Sequence, residues 1–311
     1  MLALILAYVV PGARGSAAPV ATPRAGVTDQ KDRSPSGGVN GESFSFAVFG
    51  DSRPGSQNLE VLKQIVSELN ALGPRFVLHT GDFVGGSKNS AVVEQQYEKF
   101  RGVVKDLKAP LHLAIGNHEI VGSRENEALF KRLLNKPRLY YSFSYGNCYF
   151  AVLDSEVPGE TSRITGSQLA WLEEDLRKNA NVTHKFVVVH RPFFPVDGHI
   201  GQSLDEYPED RAKLIALLKR FKVDAVFSGH EHLYNKSVTD GLTEYITGGG
   251  GAPLYPSLLG TGSFHHYLLV NVNGKQVSVS VIKPGNVLSA DYASRSEARA
   301  SGSGKSTNES R

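Results

Sequence analysis

Apolar and polar positions alternate along residues 44–285 in two distinct rhythms. Short apolar runs are typical of buried β-strands, and stretches with apolar residues three and four apart are typical of amphipathic helices. The strands are predicted over residues 44–49, 76–79, 111–115, 140–145, 148–153, 185–189, 225–227, 244–247, 266–272 and 276–282. The helices are predicted over residues 59–72, 92–107, 125–134, 167–179 and 211–221, the fourth with Ser167 as its N-cap. Strands and helices alternate along most of the region and the last strands follow one another directly, which predicts a layered α/β domain with mixed sheets.

The two ends of the chain differ from this central domain in composition. Residues 2–10 form an apolar run that Pro11 ends, and small residues follow at positions 15–18. This is the order of a signal peptide over residues 1–18, although no Lys or Arg precedes the apolar run. We therefore expect a secreted or periplasmic protein; the alternative is a cytoplasmic protein with a chance apolar terminus. Residues 19–43 and 286–311 are polar and lack periodicity, which predicts a disordered linker and a disordered tail.

Charge and cysteine content exclude several classes of protein. The 311 residues contain 34 Lys and Arg against 31 Asp and Glu, a formal net charge of +3, and the terminal segments carry part of this excess. A near-neutral central domain lacks a clustered basic surface, so no nucleic-acid partner is expected. The single cysteine, Cys148, excludes an internal disulfide. No apolar run approaches the roughly 20 residues of a membrane-spanning helix, and nothing in the sequence indicates an oligomeric state.

Side chains able to bind metal ions follow several of the predicted strands. They lie in the motifs Gly50-Asp51, Gly81-Asp82, Gly116-Asn117-His118-Glu119 and Gly229-His230-Glu231-His232, and at His190. A glycine at the end of a strand lets the backbone turn sharply, so that the next side chain points into a shared crevice. Asp, Asn and His offer the oxygen and nitrogen atoms that divalent metals such as Mn, Fe or Zn bind. Each motif alone could be an ordinary turn, but all five in order predict a metal site.

This series of motifs resembles the calcineurin-like metallophosphoesterase superfamily, which includes the purple acid phosphatases. The likeness extends to the segment YSFSYGNCYFAVLD at residues 141–154 and to the glycine-rich residues 248–253. It implies a four-layer αββα sandwich in which helices flank two mixed β-sheets. It also implies a hydrolase of phosphate esters, with a phosphomonoesterase favoured and a small-molecule or protein phosphate ester as its substrate.

The resemblance further implies a role for each motif. Two divalent metal ions would be bound by Asp51 and His232 at the first position, by Asn117, His190 and His230 at the second, and by Asp82 as a bridge between them. His118 would protonate the leaving group or orient the phosphate, next to Asn117 in the substrate site. A water molecule activated by the metals would attack phosphorus.

The first motif departs from the family pattern. The family usually has Asp-x-His, whose histidine binds the first metal, whereas this chain has Asp51-Ser52-Arg53. Arginine stays protonated and offers no lone pair. Purple acid phosphatases supply a tyrosine at the position of Gly85, and that ligand is missing here too. Water could fill the position, the first metal could bind loosely, or Arg53 could contact the substrate phosphate as a positive fork. We prefer a labile first metal with Arg53 near the phosphate.

Two other functions remain open at this point. A phosphodiesterase or nuclease would use the same ligands, although a nucleic-acid groove needs clustered Lys and Arg. A non-catalytic, protein-binding scaffold with a degenerate metal site would agree with the departure at Arg53. Such a scaffold would be expected to lose several ligands, whereas six are present.

The other histidines and several loops are placed by their context. His79 and His112 are expected to pack within strands, His184 is expected in solvent, and His199 lies in a loop from which it could face the substrate. The glycine-rich residues 248–253 are expected to form a flexible turn near the metals. The loops predicted to shape the substrate pocket are residues 54–58, 85–90, 193–207 and 252–262.

Overall fold

Two β-sheets form the centre of the fold. The computed structural model describes residues 43–53, 59–255 and 262–285. In chain order the strands are β1 (Ser43–Phe49), β2 (Val77–His79), β3 (Leu111–Leu113), β4 (Tyr141–Tyr145), β5 (Cys148–Val152), β6 (His184–Val188), β7 (Ala225–Ser228), β8 (Tyr234–Thr239), β9 (Leu242–Thr247), β10 (Tyr267–Asn273) and β11 (Gln276–Ile282). The helices are α1 (Glu60–Leu72), α2 (Ser90–Val104), α3 (Asn117–Ile120), α4 (Arg124–Leu133), α5 (Gly166–Lys178) and α6 (Pro208–Arg220), with a 3₁₀ turn at Leu204–Glu206. Each predicted strand and helix overlaps an observed one.

Both sheets mix parallel and antiparallel strands. The first has the order β11-β10-β1-β2-β3, in which β1, β2 and β3 are parallel and β10 and β11 run antiparallel. The second has the order β4-β5-β6-β7-β9-β8, with parallel strands from β5 to β9 and an antiparallel strand at each edge. The register aligns Phe49 with His79 and Leu113 in the first sheet, and Val188 with Phe227 in the second. The carboxyl ends of the strands that precede the motifs therefore lie side by side within each sheet.

Aromatic side chains fill the space between the two sheets. The ring of Phe46 on β1 meets those of Phe150, Phe186 and Phe227 on the second sheet, at centroid distances of 5.1, 5.5 and 6.1 Å. A second cluster packs α1, α2 and α4 against the outer face of the first sheet, and a third packs α5 and α6 against the outer face of the second. These layers confirm the predicted αββα sandwich of two mixed sheets flanked by helices.

The structure differs from the predicted elements at four places, the first being the short helix α3, which was not predicted. Strand β8 was not predicted because its polar sequence YNKSVT lacks an apolar run; it forms as the outer half of a hairpin with β9. Helix α6 begins at Pro208 rather than residue 211, since the fixed φ of proline suits the first turn of a helix. The N-cap of α5 is Thr165 rather than Ser167, and its side chain makes no capping hydrogen bond.

His184 is buried at the start of β6, so its predicted place in solvent is wrong. Its Nδ1 lies 3.1 Å from Asp224 Oδ1, and its Nε2 lies 3.1 Å from the Gly274 carbonyl oxygen. Both partners are distant in sequence, and they let a polar ring pack inside the sandwich. His112, by contrast, stacks on Phe143 with centroids 3.8 Å apart, as its predicted packing role requires.

The predicted terminal segments lie largely outside the described residues. This holds for the signal peptide over residues 1–18, for the linker up to residue 42 and for the tail over 286–311. Within the described parts of the chain, no helix is long and apolar enough to cross a membrane.

Candidate active site

The two aspartates that follow β1 and β2 have a strained backbone. Asp51 has a φ of 55° and Asp82 a φ of 58°, in the left-handed region that few side chains adopt. Hydrogen bonds between the two loops hold this geometry: the amide of Asp51 donates to the Gly81 carbonyl, and the amide of Arg53 to the Asp82 carbonyl, each over 2.9 Å. Strain of this kind concentrates at functional sites, and here it accompanies two adjacent buried carboxylates.

Asp51, Asp82 and His190 form a compact cluster of side chains that could hold a metal ion. One ligand atom from each lies within 4.8 Å of the others, and all three residues are buried. His190 Nε2 lies 3.4 Å from Asp82 Oδ1 and 2.9 Å from Asn117 Oδ1. The second sheet therefore contributes a histidine to the carboxylates of the first, and four of the predicted ligands meet.

Backbone carbonyls fix the orientation of two histidines. Nδ1 of His190 donates to the Thr80 carbonyl over 3.0 Å, and Nδ1 of His232 donates to the Pro253 carbonyl over 2.6 Å. Each ring keeps its Nε2 lone pair, and that of His232 lies 3.6 Å from Asp51 Oδ1. Burial lowers the pKa of both rings to about 4, so both are neutral at neutral pH. A neutral imidazole oriented by a carbonyl is the form of histidine that binds metals.

The electrostatics of the cluster favour a bound cation. Burial and the charge of Asp82 raise the pKa of Asp51 well above its usual value. Burial acts on Asp82 in the same direction, but the neighbouring His190 and His118, the hydrogen bond from the His118 amide and the charge of Arg53 together outweigh it and lower the pKa of that carboxyl. Two carboxylates buried together repel each other, and a divalent cation between them compensates both charges. The donor atoms and the charge therefore fit divalent metal ions.

His230 lies beside the cluster in a different arrangement. Its φ is 69°, and its amide donates to both carboxylate oxygens of Asp51 over 3.1 Å. Its ring stands edge-on to that of His190 with centroids 4.9 Å apart, and its Nε2 lies 3.3 Å from Arg191 Nη1. No nitrogen of His230 belongs to the group of ligand atoms within 4.8 Å. The structure thus places His230 next to the site but outside the cluster formed by Asp51, Asp82 and His190.

His118 and Arg53 cover the cluster from the solvent side. The amide of His118 donates to Asp82 Oδ1 over 3.0 Å, and its ring Nδ1 donates to the Gly85 carbonyl over 2.7 Å. His118 Nε2 then lies 3.8 Å from Asp82 Oδ2, on a side chain that is 26% exposed. Arg53 places Nη1 3.1 Å from His118 Nδ1 and Nη2 3.4 Å from His232 Nε2. Both residues therefore lie next to the predicted metal ligands.

Two buried glutamates of the motifs act on the backbone of the site. Each carboxylate accepts several amide hydrogen bonds, over distances between 2.7 and 3.4 Å. The donors are the amides of Asp82, Phe83, Val84 and Gly116 for Glu119, and those of Val196, Asp197 and His199 for Glu231. Sequence analysis did not predict these roles. The available signal was the presence of a glutamate inside each of the motifs Gly116-Asn117-His118-Glu119 and Gly229-His230-Glu231-His232.

Arg191 is a further site residue that the sequence did not single out. Its Nε and Nη2 bind the two carboxylate oxygens of Glu156 over 2.7 and 3.0 Å, and Nη1 also donates to the Gln202 carbonyl. This buried bidentate pair fixes the guanidinium and neutralises its charge. Arg191 directly follows His190 in the sequence, which was the one hint of its position.

Tyr255 and His199 pack against the two histidines of the last motif, His232 and His230. The Tyr255 ring stacks on His232 with centroids 4.7 Å apart, and its hydroxyl lies 2.6 Å from His199 Nε2. The His199 ring stacks in turn on His230 at a centroid distance of 3.8 Å. His199 thus contacts a predicted metal ligand directly; whether it faces substrate stays a prediction.

The glycine-rich segment is packed against the site rather than free. The amide of Gly250 donates to the Gly50 carbonyl over 2.9 Å, and that of Ala252 to the Asp51 carbonyl over 2.7 Å. A Cβ at Gly248 would overlap the carbonyl oxygen of Glu231. The segment is therefore a close-fitting wall of the Asp51 loop, and the prediction of a flexible turn is wrong for its described residues.

A cavity of about 380 Å³ opens beside His118 and Asn117. It is lined by Gly85, Gly86, Ser87, Asn117, His118, Val121, Gly122, Glu156, Thr161 and Arg191. The predicted pocket loop over residues 85–90 contributes to it, whereas residues 193–207 do not line it. The predicted loop over residues 54–58 lies outside the described residues, as do residues 256–261 of the last one.

The buried Asp154, which follows β5 near this cavity, should make stability depend on pH. Burial raises the pKa of Asp154 to about 7; the hydrogen bond from the Glu156 amide and the charge of Lys131 oppose this, whereas the carboxylates of Glu156 and Glu127 add to it. Because the folded pKa exceeds the unfolded one, the group favours folding at low pH, and this stabilisation is lost as the pH rises from about 4 to about 7. Replacing Asp154 with asparagine removes that loss.

We therefore expect the stability advantage of Asp154→Asn over the parent to grow by about 1–3 kcal/mol between pH 5 and pH 8. Denaturant unfolding of both proteins at the two pH values measures it. The exposed Asp106→Asn is the matched control and should show no such trend. An advantage that is constant with pH would contradict the assignment.

The chain belongs to the calcineurin-like phosphoesterase family, since residues 44–234 match its family model. It is 28% identical to the serine/threonine-protein phosphatase CPPED1 of Danio rerio over 211 residues, which cover 64% of this chain and 67% of that protein. It is 32% identical to purple acid phosphatase 21 of Arabidopsis thaliana over 164 residues, covering 46% of this chain and 36% of that protein. The resemblance predicted from the motifs is thereby confirmed.

Comparison of structures gives the same fold. A purple acid phosphatase from yellow lupin (Lupinus luteus) superposes with a TM-score of 0.64 at 18% identity, covering 78% of this chain and 52% of that one. The chain spans between about a third and two thirds of the length of these three relatives. Family and fold are therefore shared, while the activity has to be argued from the site itself.

Proposed function

We propose that the protein is a metal-dependent phosphoesterase, with a phosphomonoester favoured as substrate. The observation that carries this proposal is the buried cluster of Asp51, Asp82 and His190, in which a neutral, carbonyl-oriented imidazole faces a carboxylate. Membership of a phosphoesterase family and relatives named as phosphatases support it.

The proposed cofactor is a pair of divalent metal ions such as Mn, Fe or Zn. The residues that would hold them are Asp51 and His232 at the first position, Asn117, His190 and His230 at the second, and Asp82 between the two. Bound there, the ions would acidify a water molecule and neutralise charge on the phosphate oxygens. The first position is proposed to be labile, because Arg53 stands where the family usually supplies a histidine ligand.

The residues proposed to handle the substrate are Asn117, His118 and Arg53. Arg53 would orient the phosphate through its guanidinium, with Asn117 beside it. His118 would give a proton from Nε2 to the leaving oxygen when its ring is doubly protonated, because Nδ1 keeps its own proton on the Gly85 carbonyl. The cavity next to His118 would receive the leaving group, whether a small molecule or a protein side chain.

The proposal predicts metal content together with turnover that depends on His118. Protein purified without chelator should contain divalent metal by elemental analysis and hydrolyse p-nitrophenyl phosphate faster than bis-p-nitrophenyl phosphate. His118→Asn should lower kcat by about a hundredfold to ten-thousandfold, the usual contribution of a general acid. The same substitution at His112, which stacks on Phe143 in β4, should leave kcat within about twofold of the parent.

Other results would redirect the function. A preference for the diester would favour a phosphodiesterase. Because the sequence indicates no clustered basic groove, a small diester would then be a better candidate substrate than a nucleic acid. Protein that holds no metal and turns over no ester after reconstitution would favour a protein-binding scaffold. Export to the periplasm or the medium is proposed from residues 1–18, and the N-terminal sequence of the mature protein tests it.

A further inference from the structure

We propose that Arg53 couples substrate phosphate to the first metal position, so that phosphate and metal each strengthen the binding of the other. The inference rests on the proposed function and adds a regulatory role for one side chain. Arg53 contacts the histidine of that position, and it is free to exchange this contact for a phosphate.

The contact involves the one ring atom of His232 that a metal can use. His232 Nδ1 donates to the Pro253 carbonyl over 2.6 Å, which leaves Nε2 as its free lone pair, 3.6 Å from Asp51 Oδ1. Arg53 Nη2 lies 3.4 Å from that Nε2 and can donate to it. A single lone pair cannot accept from a guanidinium and bind a cation at once. Arg53 therefore competes with a metal for His232.

The charge of Arg53 adds to this competition. Its guanidinium lies 3.4 Å from His232 Nε2, which is itself 3.6 Å from Asp51 Oδ1, so its positive charge stands close to that carboxylate. A cation entering beside Asp51 would meet a positive charge already present there. With Arg53 in the observed position, the first metal position should bind weakly.

Arg53 is held loosely compared with the other arginine of the site. Arg191 has a bidentate carboxylate partner in Glu156, over 2.7 and 3.0 Å. Within the described residues Arg53 has no carboxylate within 4.0 Å, and its Nε is buried without a hydrogen-bond partner. A phosphate dianion offers the bidentate acceptor that Arg53 lacks. The guanidinium can thus leave His232 for the phosphate at little loss.

The consequence is a reciprocal coupling. Phosphate that draws Arg53 away frees His232 Nε2 and removes a repelling charge from the first position. By linkage, a metal bound at that position must favour phosphate by the same factor. The complete site would then assemble only in the presence of a phosphate ester.

Metal binding measured with and without phosphate tests this coupling. The full chain is stripped with chelator and titrated with Mn²⁺ by isothermal calorimetry, in the absence and presence of inorganic phosphate. We expect one tighter and one weaker site, and phosphate should tighten the weaker site by about tenfold or more. In Arg53→Ala, which removes the guanidinium without adding a metal ligand, the weaker site should bind more tightly without phosphate, and the effect of phosphate should fall to about threefold or less.

Controls separate failure of the inference from failure of the proposed function. Arg132→Ala removes an arginine that is 68% exposed on α4, and it should behave like the parent. If Arg53→Ala keeps the weak site and the full phosphate effect, the coupling is overturned while the phosphoesterase stands. Two tight, phosphate-independent sites in the parent overturn it as well. Absence of Mn²⁺ binding in every variant would overturn both the coupling and the proposed phosphoesterase. Ester turnover measured on the same samples would then also be absent.

Discussion

Replacing Asp82 with asparagine is expected to lower kcat for p-nitrophenyl phosphate by about a thousandfold or more and to strip the protein of metal, because the substitution removes several kcal/mol of charge interaction from the centre of the site. Asparagine tolerates the left-handed backbone that Asp82 adopts at a φ of 58°. Its side-chain oxygen can still accept the His118 amide, which lies 3.0 Å from Asp82 Oδ1. What is lost is the negative charge next to His190 Nε2.

A second aspartate provides the matched control for this prediction. Asp240 also has a positive φ, of 52°, but it is exposed in the turn between β8 and β9. Asp240→Asn therefore makes the same chemical change on the same kind of backbone, and should leave kcat and metal content unchanged. Elemental analysis and steady-state kinetics on both variants decide the matter. Turnover of Asp82→Asn within tenfold of the parent would mean that the cluster is not where the chemistry occurs.

The parts of the site that the sequence predicted are those fixed by local chemistry. A metal ligand has to be Asp, Asn or His, and a strand that ends in glycine directs the next side chain outward. Asp51, Asp82 and Asn117 follow both rules, His190 follows the first, and the four residues meet in the structure. The αββα layers were predicted in the same way, because the family resemblance was carried by motifs placed at the ends of parallel strands.

The parts that the sequence did not predict depend on partners far along the chain. Glu231 binds amides more than thirty residues away, and Arg191 pairs with Glu156 at a separation of 35. Nothing in the local pattern distinguishes such a glutamate from a solvated one. His184 was misplaced for the same reason, since Asp224, which lets it be buried, is 40 residues further on.

Arg53 lies between these two cases. Its failure to act as a metal ligand followed from the chemistry of the guanidinium group alone. Its position could not be derived, because the contact with His232 joins residues separated by 179 positions. The contrast with Arg191 also becomes visible only in the folded chain, where the carboxylate of Glu156 fixes Arg191, whereas Arg53 lies against ring nitrogens of His118 and His232.

Replacing Glu119 with alanine should destabilise the protein by about 3–5 kcal/mol and lower Tm by roughly 6–15 °C. Its carboxylate accepts hydrogen bonds from four buried amides, including those of Asp82 and Gly116 at 2.8 and 2.7 Å. Alanine leaves these donors without a partner in a region that excludes water, and each unsatisfied donor costs about 1–3 kcal/mol before the structure relaxes. Burial and the charge of Asp82 raise the pKa of Glu119 to about 8. The loss is expected in either protonation state, because both forms accept hydrogen bonds.

The same substitution should weaken metal binding, because two of the four amides, those of Asp82 and Gly116, lie in the loops after β2 and β3 that carry Asp82 and Asn117. Glu98→Ala removes a half-exposed glutamate of α2 that pairs with Arg101, and it should change stability by less than about 0.5 kcal/mol. Thermal unfolding of chelator-treated protein measures the first effect and Mn²⁺ titration the second. If Glu119→Ala unfolded at the same temperature as Glu98→Ala, the four amides would have found other acceptors. The backbone of the site would then be held by the packed glycine-rich wall rather than by this carboxylate.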